Sequence, residues 1–288
     1  AMRGTLGEGG DVVNTGTPLP FESPSSAYLV SYRVNAGNYE LGWFRNSETH
    51  SSSLGLDPAY AIYSRDASLE MMLDSLYLSH FYDSGEQGWS IRWVLGYGTY
   101  ELKPNSQFRN VMTGYQPGYK YAWGQRTHFE EQIDWVLTDW LLMSVGGSTD
   151  VISAIPKTGD LPRPYDPSLS AELQDLEYLG TDVVTADGEA LNSEQDVYTI
   201  NDQNLGLYGE AHIELDDWLS LTAGARYDSS TRYGGSINPR AVLVASSDDG
   251  LQVKALYGEA YLSPSPYKSY QHFGSFSATR DETGAVTG

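Results

Sequence analysis

The sequence is poor in features that define several large classes of protein. It has no cysteine among its 288 residues, which excludes disulfide frameworks, cysteine-ligated zinc, iron–sulfur clusters and thiol nucleophiles. Only 5 of its 17 basic residues are lysine, against 38 acidic residues. The resulting net charge of −21 disfavours nucleic acid as a partner, because phosphate binding needs a basic surface. No run approaches the roughly 18 to 20 apolar residues of a transmembrane helix.

Aromatic residues and glycine, by contrast, are abundant. The chain contains 22 Tyr, 7 Trp and 30 Gly, and 12% of its residues are aromatic. Such aromatic content is too high for a disordered chain, which lacks the large apolar groups that drive packing. We therefore expect a folded protein, although this composition is unusual for a cytoplasmic enzyme.

The dominant hydrophobic period is two residues. Between residues 207 and 215 the odd positions are Leu, Gly, Ala, Ile and Leu, and the even positions are Tyr, Glu, His and Glu. The same alternation resumes from Leu219 to Tyr227, after the acidic pair Asp216 and Asp217. Successive side chains of a strand point to opposite faces, so this segment predicts a β-hairpin with one apolar and one polar face.

The same pattern recurs along the chain and predicts about ten strands. They cover roughly residues 27–35, 38–46, 67–82, 88–103, 119–136, 139–149, 197–215, 218–228, 236–246 and 251–261. Short turns follow the odd-numbered strands of this series, and longer links follow the second, fourth, sixth and eighth. This alternation is typical of an up-and-down β-barrel of the outer-membrane type.

Strand length separates a membrane barrel from a soluble one. Soluble strands average about 5 to 6 residues, whereas tilted membrane strands need about 9 to 11. Several predicted strands exceed ten residues, with the apolar set able to face lipid and the polar set able to face a wet lumen. Tyr and Trp near the strand ends suit the membrane interfaces. The predicted fold class is therefore all-β, a transmembrane antiparallel up-and-down β-barrel.

Residues 204–270 resemble the late barrel of TonB-dependent outer-membrane receptors. One matching signature is the strand, short turn and strand that end in Arg226-Tyr227-Asp228. The second is Asn238-Pro239-Arg240, and the third is the Tyr-Gly-Glu-Ala-Tyr-Leu-Ser-Pro run of residues 257–264. These signatures occur in the family's order and cover about a quarter of the chain. The upstream strands share only the general character of the barrel.

The resemblance also implies parts that the sequence does not display. Family members carry an N-terminal plug domain, a TonB box and a barrel of about 22 strands. We recognise no plug in residues 1–288, so we expect them to be an incomplete barrel region, an arc of a larger 22-strand barrel. The TonB complex would then be a partner only through the missing plug region.

The predicted loops hold the candidate substrate-binding residues. The longest link, residues 150–196, carries 11 acidic and 2 basic residues and is expected to be extracellular. We interpret it as a solvated acidic loop, because no twelve-residue calcium-binding pattern appears in it. Long loops on rigid scaffolds commonly carry function, aromatic side chains could contact a ligand, and Arg163 suits an anionic metal chelate. The candidates are Tyr60, Tyr63, Tyr115, Arg163, Tyr165 and Tyr178.

Four further polar residues are expected to face the lumen. They are Glu210, His212, Arg226 and Arg240, which occupy the polar positions of neighbouring predicted strands. They could line a solute path, or they could form a ladder of opposite charges that contributes about 0.2 to 1 kcal/mol for each pair. We favour the ladder.

Taken with the resemblance, these patterns predict a transport receptor and not an enzyme. It would lie in the outer membrane of a Gram-negative bacterium, contact outer-membrane lipid, and import a scarce solute such as a ferric siderophore or similar metal chelate. We predict no catalytic residue, no resident metal and no cofactor. The alternatives are a passive outer-membrane porin and an omptin-like protease, which would need a tight catalytic cluster that the sequence does not display. The sequence leaves the solute open.

Overall fold

The computed structural model describes the chain in several ranges. These are residues 2–6, 12–18, 21–58, 60–110, 115–158, 161, 163–174, 183–184, 190–191, 199–265 and 269. The strands are β1 (Met2–Leu6), β2 (Val12–Pro18), β3 (Ser25–Ala36), β4 (Tyr39–Ser51), β5 (Ser68–Asp83), β6 (Trp89–Leu102), β7 (Gln107–Phe108), β8 (Gly118–Tyr119), β9 (Ala122–Thr138), β10 (Leu141–Ile155), β11 (Val183–Val184), β12 (Ala190–Leu191), β13 (Ile200–Asp216), β14 (Leu219–Ser230), β15 (Gly234–Ser246) and β16 (Gln252–Gly258). Single turns of 3-10 helix cover Gly85–Gln87 and Ala171–Leu173.

Ten of these strands form one antiparallel sheet, which we call the main sheet. Its order, β3-β4-β5-β6-β9-β10-β13-β14-β15-β16, follows the chain, so the topology is up-and-down. The remaining strands pair as β1 with β2, β7 with β8 and β11 with β12. The main sheet confirms the predicted fold class. Within the described ranges, no helix is long and apolar enough to cross a membrane.

All ten predicted strands are present in the main sheet, and the largest differences are at two of their ends. The second predicted strand stops at residue 46, but β4 continues to Ser51, and the sixth stops at 149, but β10 continues to Ile155. Beyond those points the alternation is too weak to mark a strand, whereas pairing with β5 and β13 holds the backbone extended. Asp150 therefore lies in β10, and the link to β13 begins at residue 156.

The main sheet has two chemically different faces. Its apolar face carries odd-numbered residues in β13 to β16, among them Leu207, Tyr227 and Ile237, which are 51%, 42% and 67% exposed. Its polar face carries the alternate residues, including Arg226 and Arg240. An exposed apolar surface that extends across ten strands is far larger than soluble monomers tolerate, and it fits contact with lipid.

Tryptophan marks the end of the sheet that carries the short turns. Trp89 begins β6 directly after one turn, and Trp140 and Trp218 each occupy the position before a strand begins. Trp140 and Trp218 are both 53% exposed, and the Trp218 indole donates a 3.1 Å hydrogen bond to Asp216. An indole has an apolar body and one polar N–H group, so it is well suited to a membrane–water interface.

Candidate functional site

The links at the opposite end of the sheet pack into a layer that we call the cap. It comprises the described parts of residues 51–68, 103–122 and 155–174, and it contains most of the buried side chains of the described chain. Tyr121 and Tyr165 stack with ring centroids 3.9 Å apart and nearly parallel planes. Leu161 beside them is fully buried, and its backbone pairs with Tyr119 through two hydrogen bonds. Aromatic stacking and burial thus hold the third link, residues 155–174, against the second link, residues 103–122.

In the first of these three links, residues 51–68, side chains donate hydrogen bonds to backbone carbonyls of the same link. The Tyr63 hydroxyl donates to the carbonyl of Leu56 at 2.6 Å, and its ring stacks on Phe21 at 4.5 Å. The Ser53 hydroxyl donates to the carbonyl of Ile62 at 2.6 Å. The Ile62 amide in turn donates to Arg109 in the second link. These contacts make the cap one packed layer across three links.

Two ionisable groups in the cap have shifted pKa values. Burial raises the pKa of the Tyr121 hydroxyl above the ordinary tyrosine range, so this group is neutral at physiological pH. The pKa of Asp166 is lowered, because the Ser168 hydroxyl and the Ser168 amide donate hydrogen bonds to its carboxylate at 2.7 and 2.9 Å. At neutral pH the buried Tyr121 hydroxyl is therefore uncharged, and the Asp166 carboxylate is charged and holds the Ser168 turn.

The cap divides the predicted loop candidates into buried and exposed residues. Tyr63, Tyr115 and Tyr165 are only 7%, 3% and 4% exposed, so their rings pack inside the cap. Tyr60 is 46% exposed and Arg163 is also exposed, as a ligand-contacting residue must be. One further candidate, Tyr178, lies outside the described residues.

The four polar candidates lie on the polar face of the main sheet. Arg240 forms an ion pair with Glu210, and Arg226 forms one with Asp228 at 2.7 Å. His212 lies 2.8 Å from the Thr222 hydroxyl of the facing strand. The polar face thus contains short-range pairs of opposite charge within and between strands.

Further hydrogen bonds cross the polar face between strands that are not direct neighbours. The Tyr208 hydroxyl donates to Gln132 at 2.8 Å, and Arg226 donates to Ser148 at 3.1 Å. Both side chains lie over glycines. A Cβ atom at Gly146 would come within 2.5 Å of the Tyr208 ring, and one at Gly206 within 2.1 Å of the Arg226 guanidinium. The glycines of these strands thus make room for long polar side chains.

Two histidines of the main sheet, His80 and His128, have different kinds of neighbours. His128 contacts Asp150 at 2.8 Å, and His80 packs against the rings of Tyr39 and Trp93. In the part of the chain that the structure describes, no group of three or more potential metal ligands lies close enough to hold an ion. The polar face therefore presents hydrogen bonds and charge pairs.

One feature of the polar face was not predicted. Near the cap, the apolar side chains of Phe44, Leu73, Tyr100 and Ile152 surround a pocket of about 440 Å³, which we call the apolar pocket. They belong to β4, β5, β6 and β10, so no single strand carries a signal for it. Only the register of the sheet brings these residues together, and only a register prediction could have found them.

An amphipathic sheet of long antiparallel strands, with tryptophans at one end and a packed cap at the other, defines the class of transmembrane β-barrels. The family described as TonB dependent receptor-like, beta-barrel, matches residues 14–288. The chain belongs to this family, and the predicted resemblance is confirmed. No curated protein matches the chain.

Solved structures of the same fold include three named iron or siderophore proteins. The FrpB iron transporter from Neisseria meningitidis (F5-1 variant) is 13% identical, with a TM-score of 0.55 over 90% of this chain and 40% of its own. The siderophore receptor PirA from Pseudomonas aeruginosa is 13% identical, with a TM-score of 0.51 over 83% and 33%. PirA from Acinetobacter baumannii is 12% identical, with a TM-score of 0.53 over 85% and 34%. The chain thus spans about a third to two fifths of these proteins.

Proposed function

We propose that this chain forms part of the barrel wall and the extracellular cap of a receptor that imports a scarce solute across the outer membrane of a Gram-negative bacterium. The observation that carries the proposal is the division of one sheet into an exposed apolar face and a hydrogen-bonded polar face, with the cap at one end. The apolar face fits lipid, and the polar face fits the wet interior of a barrel.

A ferric siderophore or similar metal chelate is the solute that we propose. The names of the similar structures, a siderophore receptor and an iron transporter, support this choice, although their low identity extends only to the fold. Tyr60 and Arg163 are the exposed cap residues that we propose for solute contact. Uptake would be coupled to the TonB complex through a plug domain, and the receptor would carry out no covalent chemistry.

We further propose that the main sheet is an arc of a larger barrel. Among the described strands, β3 and β16 each pair on one side only. An unpaired edge leaves backbone N–H and C=O groups without partners, which lipid cannot supply. Neighbouring strands on both sides, in a barrel of about 22 strands, would satisfy these groups.

The test is uptake of radioactive iron by cells that express the complete natural reading frame containing this chain. The host is a Gram-negative strain that lacks its own siderophore receptors and is supplied with a panel of ferric chelates. We expect uptake of at least one chelate under iron limitation, and loss of that uptake when TonB is inactivated. Solute entry that is equal with and without TonB would instead indicate a passive porin and contradict the proposal.

A further inference from the structure

The apolar face of the main sheet carries two ionisable side chains in one row. Leu207, which lies on this face, pairs with Gly147 of β10, and Gly147 pairs with Glu131 of β9. Trp93 of β6 follows in the same register, between Glu131 and His80 of β5. Because directly paired residues of antiparallel strands point to the same face, Glu131 and His80 lie on the face that fits lipid.

The surroundings of this row are apolar. Leu76, Leu95 and Phe129 lie near it on the same face and are exposed. Trp135, on the same face of β9, lies four residues from Glu131 towards the short-turn end. Four residues of a tilted membrane strand correspond to roughly 10 Å of depth. With Trp135 at the interface, Glu131 lies near the middle of an apolar band that is about 25 Å tall.

Neither ionisable side chain has a hydrogen-bonding partner within the described ranges. The Glu131 carboxylate takes part in no hydrogen bond or ion pair with the residues that the structure describes. Nδ1 of His80 is buried without a partner, and the ring packs against Tyr39 at 4.5 Å and Trp93 at 5.6 Å. Nε2 of the same ring is not buried, so it can meet an outside group. Ionisable residues at membrane depth are costly and usually paired, so this row indicates a contact other than lipid.

The order of the row makes it complementary to a second copy of itself. His80 and Glu131 lie one strand to either side of Trp93, so their Cα atoms are roughly 10 Å apart. A two-fold axis along the membrane normal beside Trp93 exchanges left and right and preserves depth. The axis therefore places His80 of one copy opposite Glu131 of the other, and this pair forms twice. Strand tilt offsets the two residues in depth by about 6 Å, which two side chains of this length can span.

We infer that the apolar face around Trp93 is a dimer interface between two copies of the receptor, held by two reciprocal contacts of His80 with Glu131. Donation from Nε2 to a carboxylate forms a charge-assisted hydrogen bond, which is stronger where water is excluded. A second copy supplies donor and acceptor at matched positions, whereas a lipid chain supplies neither. The inference rests on the proposed function for the position of the sheet in a membrane.

Cross-linking at the axis tests where the interface lies. Any cysteine elsewhere in the complete receptor is first replaced, and Trp93→Cys then places one cysteine of each copy at the axis. Packed sheets lie about 10 Å apart, so a short bifunctional thiol reagent is used in place of a direct disulfide. In native outer membranes we expect a cross-linked dimer. Leu207→Cys is the matched control, because this exposed residue lies three strands along the same row, roughly 30 Å from its copy in the dimer.

A charge swap tests the pairing itself. His80→Glu places two carboxylates at each contact, and Glu131→His places two imidazoles there. The double variant restores both pairs with the roles exchanged. Sedimentation of the purified complete receptor in detergent measures the dimer dissociation constant, and heat-modifiable migration verifies folding. We expect each single variant to weaken the dimer about tenfold or more, and the double variant to return to within about threefold of the wild type.

The inference is wrong if the wild-type receptor is monomeric in the membrane, if Trp93→Cys and Leu207→Cys cross-link equally, or if the double variant dimerises as weakly as the single ones. A complex with a different protein, without a product that links two copies through Trp93→Cys, would also contradict it. These results would leave TonB-dependent iron uptake intact, so the proposed function would stand. Absence of that uptake would contradict the proposed function itself. Cross-linking still tests the interface if the swap variants do not reach the membrane.

Discussion

The hydroxyl of Tyr208 reaches across strand β10 and donates a 2.8 Å hydrogen bond to Oε1 of Gln132 in β9. Gly146, the β10 residue that pairs with both, lies beneath the tyrosine ring. A methyl group at this position would meet the ring at 2.5 Å and the backbone carbonyl of Glu131 at 2.6 Å. The bond between two non-adjacent strands therefore depends on a missing side chain in the strand between them.

Gly146→Ala should destabilise the folded sheet by about 1–3 kcal/mol, because the tyrosine ring and a backbone carbonyl must both shift. The measurement is the unfolding of the complete receptor in detergent at increasing urea concentrations. Unfolding is monitored as the loss of heat-modifiable migration. Gly96→Ala is the control, since its new Cβ would lie 3.9 Å from its nearest neighbour. Equal midpoints for the two variants would show that Tyr208 does not occupy this position.

Tyr165→Ala should loosen the cap and leave the sheet folded. It removes a 4% exposed ring that stacks on Tyr121, and loss of a buried aromatic side chain costs about 3–5 kcal/mol. The readout is the rate at which a protease added to intact cells cleaves the receptor, and we expect this rate to be higher for the variant. Tyr60→Ala, which removes a 46% exposed ring, should not change the cleavage rate. Unchanged cleavage of Tyr165→Ala would contradict the packed cap.

Alkaline pH should weaken the cap through Tyr121. Its folded-state pKa is raised by burial, whereas an unfolded tyrosine ionises near pH 10. The contribution of this group to stability is therefore complete below about pH 10 and is lost as the pH rises towards and through the raised pKa.

Tyrosinate absorbance during an alkaline titration measures this effect. Subtraction of the Tyr121→Phe curve from the wild-type curve should isolate one tyrosine that titrates above the ordinary range. A difference curve with its midpoint near pH 10 would show that Tyr121 is exposed. The comparison needs folded protein, so far-ultraviolet circular dichroism is recorded at each pH.

The ion pairs of the polar face should contribute little to stability. Glu210→Gln removes the partner of Arg240, and cross-strand pairs of this kind are worth about 0.2 to 1 kcal/mol. We expect a small decrease in the unfolding midpoint and no change in iron uptake, as a charge ladder predicts. Uptake that falls severalfold at an unchanged midpoint would instead place Glu210 on a solute path.

The strands of the main sheet were predictable because they repeat a period of two over more than ten residues. Between residues 207 and 215 the pattern alone indicates which side chains share a face, and the register confirms it. The cap was not predictable in this way. Tyr121 and Tyr165 are far apart in sequence, and their stacking depends on how two irregular links meet.

The apolar pocket was missed for a related reason. Phe44 and Ile152 are each a single apolar residue among the polar positions of a strand. One such residue does not by itself predict a pocket. Their significance appears only when the register aligns five neighbouring strands, β4, β5, β6, β9 and β10, which a sequence without its pairing partners does not reveal. The burial of Tyr63 and Tyr115 likewise follows from contacts between links. The sequence therefore identifies these tyrosines as candidates but does not distinguish them from the exposed Tyr60.

The most direct test of the account is a cysteine scan of β13 in the complete receptor. The 288 residues contain no cysteine, and any cysteine elsewhere in the receptor is first replaced. Single cysteines then place a nitroxide label at one known position each: Leu205, Leu207, Tyr208, Glu210 or Ile213. In membranes, labels at 205, 207 and 213 should collide mainly with oxygen, which concentrates in lipid. Labels at 208 and 210 should collide mainly with a water-soluble nickel chelate. Accessibility that does not alternate between the two faces would contradict a membrane-spanning sheet with a polar interior.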